Sequence, residues 1–217
     1  MSNLTTYIEE LTQTPPLRRH AIKRLMLFLS LGLAMMVGVF MFFFPIRENL
    51  SASLQAINWE NYGLLIKLFV PICVLALTVP NLVRLAKPFE FHVTKTEFSG
   101  LIGLNLLLII LLIFELIGLN SNADGHLHLA PFDCSLTMVL LGLIIFVPVL
   151  YALKSGMSVR PARCGSMAGL ISASFANLIY ALHCPNDSMA HIMLFYGATY
   201  IGLMLLGAFV GKYFLRW

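Results

Sequence analysis

Charged side chains are scarce in this chain: 11% of its 217 residues are Asp, Glu, Lys or Arg, 59% are hydrophobic, and the mean hydropathy is +0.86. A surface wetted on all sides cannot be built from that balance, which excludes an ordinary soluble domain and leaves an integral membrane protein. No polar segment is long enough to fold as a second domain. Cysteine is limited to Cys73, Cys134, Cys164 and Cys184, and the absence of any CxxC argues against a thioredoxin-like redox pair. Polar residues at mid-membrane depth come down to Asn105 and Asn177, few for the pathway of a metal or ion transporter. The first apolar run follows a basic cluster but lacks a small-residue cleavage signature, so it reads as a retained span and not as a signal peptide.

What is present is a series of apolar runs of the length that crossing about 30 Å of hydrocarbon at 1.5 Å per residue requires. Six of them lie near Leu25 to Phe44, Tyr62 to Leu82, Phe98 to Leu119, Cys134 to Leu153, Cys164 to His183 and Met189 to Gly211. The expected fold is all-α, a polytopic membrane protein with six transmembrane helices. Its expected division is a cytoplasmic tail, residues 1–24, and a membrane domain, residues 25–217.

Orientation follows from the basic residues, which collect in short cytoplasmic loops. All Lys and Arg except Arg47 and Lys67 fall on one side of the six runs, so both termini are expected in the cytoplasm. The loops around 49–61, 120–133 and 185–188 then face outward. The sequence pI of about 9.0 is accounted for by the same loops, which face an anionic leaflet; direct nucleic-acid binding is not expected.

Pro71 and Pro148 fall inside predicted helices, where each removes a backbone hydrogen bond and bends the helix. The small-xxx-small patterns Gly165 to Gly169 and Gly207 to Gly211 allow close helix approach, within the bundle or at a dimer face.

The outward side carries the candidate chemistry. Cys134 and Cys184 are both expected there, at the ends of consecutive antiparallel helices, near enough in topology for their thiols to meet. Segments 131–135 and 185–188 resemble helix N-caps, whose positive dipole end favours a thiolate. Around them stand His126, His128, Asp133, His183, Asp187 and His191. The donor types suit a soft or borderline ion, although the spacing matches no zinc signature. Three readings stand open: a structural metal, a redox or transient metal sensor, and ordinary loop chemistry with Asp187 as a cap. No resident cofactor is required; a transient soft metal ion at the outer face is the ligand this donor set would take. Lys67 and Glu115 lie at similar depth in the second and third runs, as an intramembrane ion pair or as two side chains snorkelling outward.

In the cytoplasmic tail, Leu4, Tyr7, Ile8 and Leu11 fall at i, i+3, i+4 and i+7, with Glu9 and Glu10 on the other side, ahead of Pro15 and Pro16. This short amphipathic helix is suited to folding onto a protein groove; the competing reading lays it on the membrane lipid.

The segment RCGSMAGLISASFANLIYALHCPNDSMAHIMLFYGATY, with the closing LRW, resembles the NrsF-type membrane anti-sigma factors. The resemblance rests on Tyr180, His183, Cys184, Pro185, Asp187, Ser188, Phe195, Tyr196 and the terminal Arg216-Trp217, and the TYIEELTQTPPLRR tail is similar to the family's cytoplasmic start. It implies a bacterial inner-membrane protein that holds an extracytoplasmic-function sigma factor inactive and releases it under heavy-metal or oxidative stress. The family's paired outward cysteines map onto Cys184 and, by position, Cys134; the His-rich outer loop departs from the pattern. The expected function is a non-enzymatic sensor and anti-sigma factor, of open oligomeric state. Its rival is a quinone-linked membrane thiol oxidoreductase, for which oxidation of a dithiol by the purified protein with added quinone would be the distinguishing result.

Overall fold

In the computed structural model, residues 16–46, 62–85, 132–154, 160–187 and 191–215 are described. They form α1 (Pro16–Phe43), α2 (Tyr62–Leu85), α3 (Phe132–Lys154), α4 (Pro161–Tyr180) and α5 (Gly197–Phe214), the last entered through one π-helical turn, Ile192–Tyr196. No strand occurs among the described residues. Helices are what long apolar runs must become in hydrocarbon, because every backbone N–H and C=O has to be paired within its own segment. Proline is placed consistently with that demand. Pro161 opens α4, where its missing N–H costs nothing. Pro71, Pro80 and Pro148 lie within α2 and α3, which remain helical on both sides of them.

Among the described residues, four segments are long and apolar enough to cross a membrane: Lys23–Phe43, Gly63–Leu82, Cys134–Lys154 and Ile192–Phe214. The expectation of six is met only to that extent. The run 98–119 lies outside the described residues, as do 1–15 and 120–131. The fifth run is present as α4 but is not apolar enough to count with the others, since Ser166, Ser172, Ser174, Asn177 and two glycines dilute it. Its position explains the difference. α4 packs against α2, α3 and α5, so most of its surface meets protein. A helix shielded by neighbours has no need of a lipophilic circumference.

The distribution of side chains is inverted relative to a water-soluble protein. Phe42, Phe69, Val147, Ile201 and Phe209 point outward, all more than half exposed. Lys67, Thr78, Ser172, Ser174, Asn177 and Thr199 are buried. Several of the buried hydroxyls satisfy themselves on their own helix: Thr78 Oγ1 donates to the Val74 carbonyl at 2.7 Å, Ser172 to Ala168 at 2.8 Å and Thr199 to Phe195 at 2.9 Å. That is the arrangement expected of helices meeting lipid outside and one another inside.

Among the described helices, α4 and α5 bring their backbones into close contact. A Cβ on Gly165 would lie 2.0 Å from the Gly207 carbonyl oxygen, one on Gly169 would lie 2.1 Å from that of Leu203, and one on Gly211 2.6 Å from that of Pro161. The two small-xxx-small patterns therefore face each other inside one chain, which decides between bundle packing and a dimer face for these glycines. Replacing Gly165 by Ala is expected to lower the stability of the purified protein by about 1–3 kcal/mol through overpacking. Gly38→Ala, where nothing lies within 4 Å of the new methyl, is expected to stay within about 0.5 kcal/mol. Denaturant unfolding of both variants in detergent checks the pair.

Candidate functional site

The carboxyl end of α4 does not stop abruptly. The amides of Leu182 and His183 bond back three residues, to Ile179 and Tyr180, and the Cys184 amide also reaches the Tyr180 carbonyl at 3.0 Å. Pro185, which has no amide to contribute, ends this run, and the backbone turns through Asn186 and Asp187 toward the π-helical turn. Cys184 thus follows the carboxyl, negative end of the α4 dipole; residues 188–190, which carry part of the expected cap of the next helix, lie outside the described residues. Cys134, in the first turn of α3, keeps its expected place at a helix amino terminus.

Positive charge is supplied to the Cys184 turn by Lys67. Its side chain, fully buried in α2, donates to the carbonyl of Cys184 at 3.2 Å, to the carbonyl of Asn186, and to Asp187 Oδ1 at 2.8 Å. Three acceptors match the three protons of an ammonium, and all come from four consecutive residues. The Tyr196 ring faces the same nitrogen, its centroid 5.7 Å away. One turn before Lys67, on the same face of α2, Gly63 makes room: a Cβ there would stand 1.9 Å from the Asp187 carbonyl oxygen. Lys67 was expected beside Glu115 or snorkelling outward. Glu115 lies outside the described residues, and the ammonium neither snorkels nor lacks an acidic partner, because Asp187 provides it.

The predicted ligands divide into separate groups. Cys184 Sγ lies 3.6 Å from His191 Nε2, both buried, and 3.9 Å from the Asn186 carbonyl oxygen. His191 packs on Phe195, ring centroids 4.6 Å apart. His183, next in sequence to Cys184, turns the other way: its Nδ1 is 2.8 Å from the Pro45 carbonyl oxygen, and its ring is enclosed by Phe40, Phe44 and Tyr180. It fastens the turn to the end of α1. Cys134 is half-buried against the core that includes Cys184, and both thiols are free, with no disulfide between them. His126 and His128 lie outside the described residues. Among the described residues no group of three or more His, Cys, Asp or Glu is placed to hold a metal ion.

The arrangement offers a buried thiol–imidazole pair as two soft donors, beneath a lysine–aspartate pair. At 3.6 Å the sulfur and nitrogen can share one proton, with roles set by the imidazole tautomer. His191, one residue before the span Ile192–Phe214, has its pKa lowered by burial first and by the Lys67 charge second, with Asp187 opposing. Gly63, the Lys67–Asp187 pairing and Tyr196 were missed by sequence reasoning as parts of this site. The one legible signal was a lone lysine in an apolar run with glycine four residues earlier, where small and charged residues share a helix face.

A histidine whose folded pKa lies below its unfolded value takes up its proton first in the unfolded chain. Its contribution to stability is present above the ordinary histidine pKa of 6.5 and is lost as the pH falls from there toward the lowered folded value. The unfolding midpoint of the purified protein is therefore expected to drop below about pH 6.5, and His191→Gln is expected to flatten that dependence.

Comparison with known proteins supplies the remaining observations. A family model described as negative regulator of sigma F, NrsF, matches residues 11–217. The chain is 33% identical over 85 residues to the anti-sigma-F factor NrsF of Caulobacter vibrioides (strain NA1000 / CB15N), an alignment covering 39% of this chain and 40% of that protein. It is 31% identical over 85 residues, with the same coverage, to the probable anti-sigma-F factor NrsF of Azospira oryzae (strain ATCC BAA-33 / DSM 13638 / PS). These alignments span well under half the length of the curated relatives. No solved structure matches the chain.

Proposed function

The chain belongs to the NrsF family of negative regulators of sigma F, and on that premise we propose that it is a membrane anti-sigma factor, held in the bacterial inner membrane by six spans with both termini in the cytoplasm. The observation that carries this reading is the family match over nearly the whole chain. Four membrane-length helices among the described residues support insertion in a membrane, and the orientation rests on the one-sided distribution of basic residues along the sequence. The family description is regulatory and not catalytic, so the reading is non-enzymatic.

The partner is an extracytoplasmic-function sigma factor, gripped by the cytoplasmic segment 1–24 through Leu4, Tyr7, Ile8 and Leu11. The support for that surface is its own amphipathic spacing, since most of it precedes the matched residues. The signal is heavy-metal or oxidative stress outside the membrane, received at Cys184 with Cys134 as the second thiol. Cys184 suits the role because its sulfur has an imidazole beside it and its turn is fastened to three other elements. A soft metal or oxidant acting there would enlarge or bridge the thiol in a packed setting, which such a site cannot absorb without moving. Shifting the tail from mostly holding to mostly releasing its partner requires about 5.5 kcal/mol of differential binding, within reach of thiol chemistry or soft-metal coordination.

Two measurements test the two halves. A pull-down from membranes is expected to recover a sigma factor with the full chain and none with a chain lacking residues 1–20; equal recovery would sink the sequestration half. The Cys134→Ser, Cys184→Ser double variant is expected to keep sequestration but lose induction by cadmium or hydrogen peroxide. Undiminished induction would overturn the sensing half alone.

A further inference from the structure

We propose that Lys67 is the positioning residue of the Cys184 turn and the point at which a change at that thiol passes into α2. The inference rests on the reading of Cys184 as the sensing thiol and adds the route the signal takes.

The contacts are specific to that route. One of the three acceptors of the Lys67 ammonium is the carbonyl of Cys184 itself, and the other two belong to Asn186 and Asp187. A torsional change at Cys184 therefore moves an atom bonded directly to α2. Sγ is enclosed, with Cys184 only 3% exposed and its sulfur against the His191 imidazole, so atoms added to the sulfur crowd these neighbours and displace the turn. A displaced turn withdraws its acceptors from a buried ammonium, a state that a low-dielectric interior penalises heavily. α2 must then shift to find the lysine other partners.

α2 is built to respond at that level. Pro71 stands four residues after Lys67, so the Lys67 carbonyl lacks its helical N–H partner and the helix has a bending point at the lysine. Gly63 supplies an independent steric handle on the same contact, because the Asp187 backbone rests where its side chain would be. Beyond Pro71 the helix continues to Leu85, at the opposite end from the thiol turn. By contrast, His183 ties the turn to Pro45 through its own side chain, without using an atom of Cys184.

The test uses the purified full-length chain in detergent and two readouts that involve no sigma factor. The first is the rate of N-ethylmaleimide labelling at Cys184, followed by mass spectrometry. Lys67→Met and Gly63→Ala, one removing charge and the other only adding a methyl, are both expected to raise it at least tenfold. The second is hydrogen–deuterium exchange over residues 62–71 before and after treatment with methyl methanethiosulfonate. In that reaction the thiol sulfur bonds to the thiomethyl sulfur and methanesulfinate leaves with the proton. Treatment is expected to speed exchange at least fivefold in the wild type. It should change nothing in Cys184→Ser, and nothing further in Lys67→Met or Gly63→Ala, whose exchange is already fast. Unchanged exchange in wild type with Cys184 fully thiomethylated would overturn the proposal, as would wild-type labelling rates in both variants. If Lys67→Met does not accumulate, Gly63→Ala decides alone. Failure of the sequestration reading would appear in the pull-down and leave these two measurements unaffected.

Discussion

A fully buried ammonium sets the terms for the end of this bundle that carries the Cys184 turn. Three protons of Lys67 must each find an acceptor away from water, and removing any partner of a buried ion pair typically costs about 3–5 kcal/mol. The turn from Cys184 to Asp187 supplies all three acceptors within four residues. That requirement fixes the height of the turn against α2, and Gly63 follows from it, since any larger residue would hold the turn away from the lysine. The thiol of Cys184 and the imidazole of His191 are placed by the same constraint, because they flank the segment that the lysine holds.

The rest of the bundle reflects the reversal of solvent. Apolar side chains face outward and polar ones are packed between helices, so affinity between helices has to come from close packing and not from the hydrophobic effect. The α4–α5 contact shows what that involves: four glycines bring two backbones together at distances no side chain would allow. α4, surrounded by three neighbours, can carry serines and an asparagine that a lipid-facing helix could not. A regulator benefits from this construction, because an interior without slack transmits a local change in volume instead of absorbing it.

Membership of the NrsF family and the geometry of the turn address different questions. The family match concerns what kind of protein this is, while the turn concerns how a buried thiol is kept in register with its surroundings. Much of this was legible in advance. Helical class came from uninterrupted apolar runs, the glycine contact from four-residue spacing, and the family from the segment around His183 to Tyr196. The site was legible in composition but not in pairing. His183 and Cys184 are adjacent in sequence, yet their side chains serve different neighbours, because the last turn of α4 rotates one toward α1 and the other toward the π-helical turn. Helical periodicity does not extend through such a turn, so no spacing rule could have separated them.

The sequence by itself determined that this chain lives among apolar helices, that its few polar residues gather toward one end of certain helices, and that its glycines permit close approach. These are properties of length, composition and period, set by the hydrocarbon each segment must cross. Only the tertiary structure decided that Lys67 meets Asp187, that Gly63 is the notch for the turn, and that His191, not His183, faces Cys184. Each of those is a contact between residues separated by many positions in the chain or by a change of direction, and is settled by which helices lie side by side.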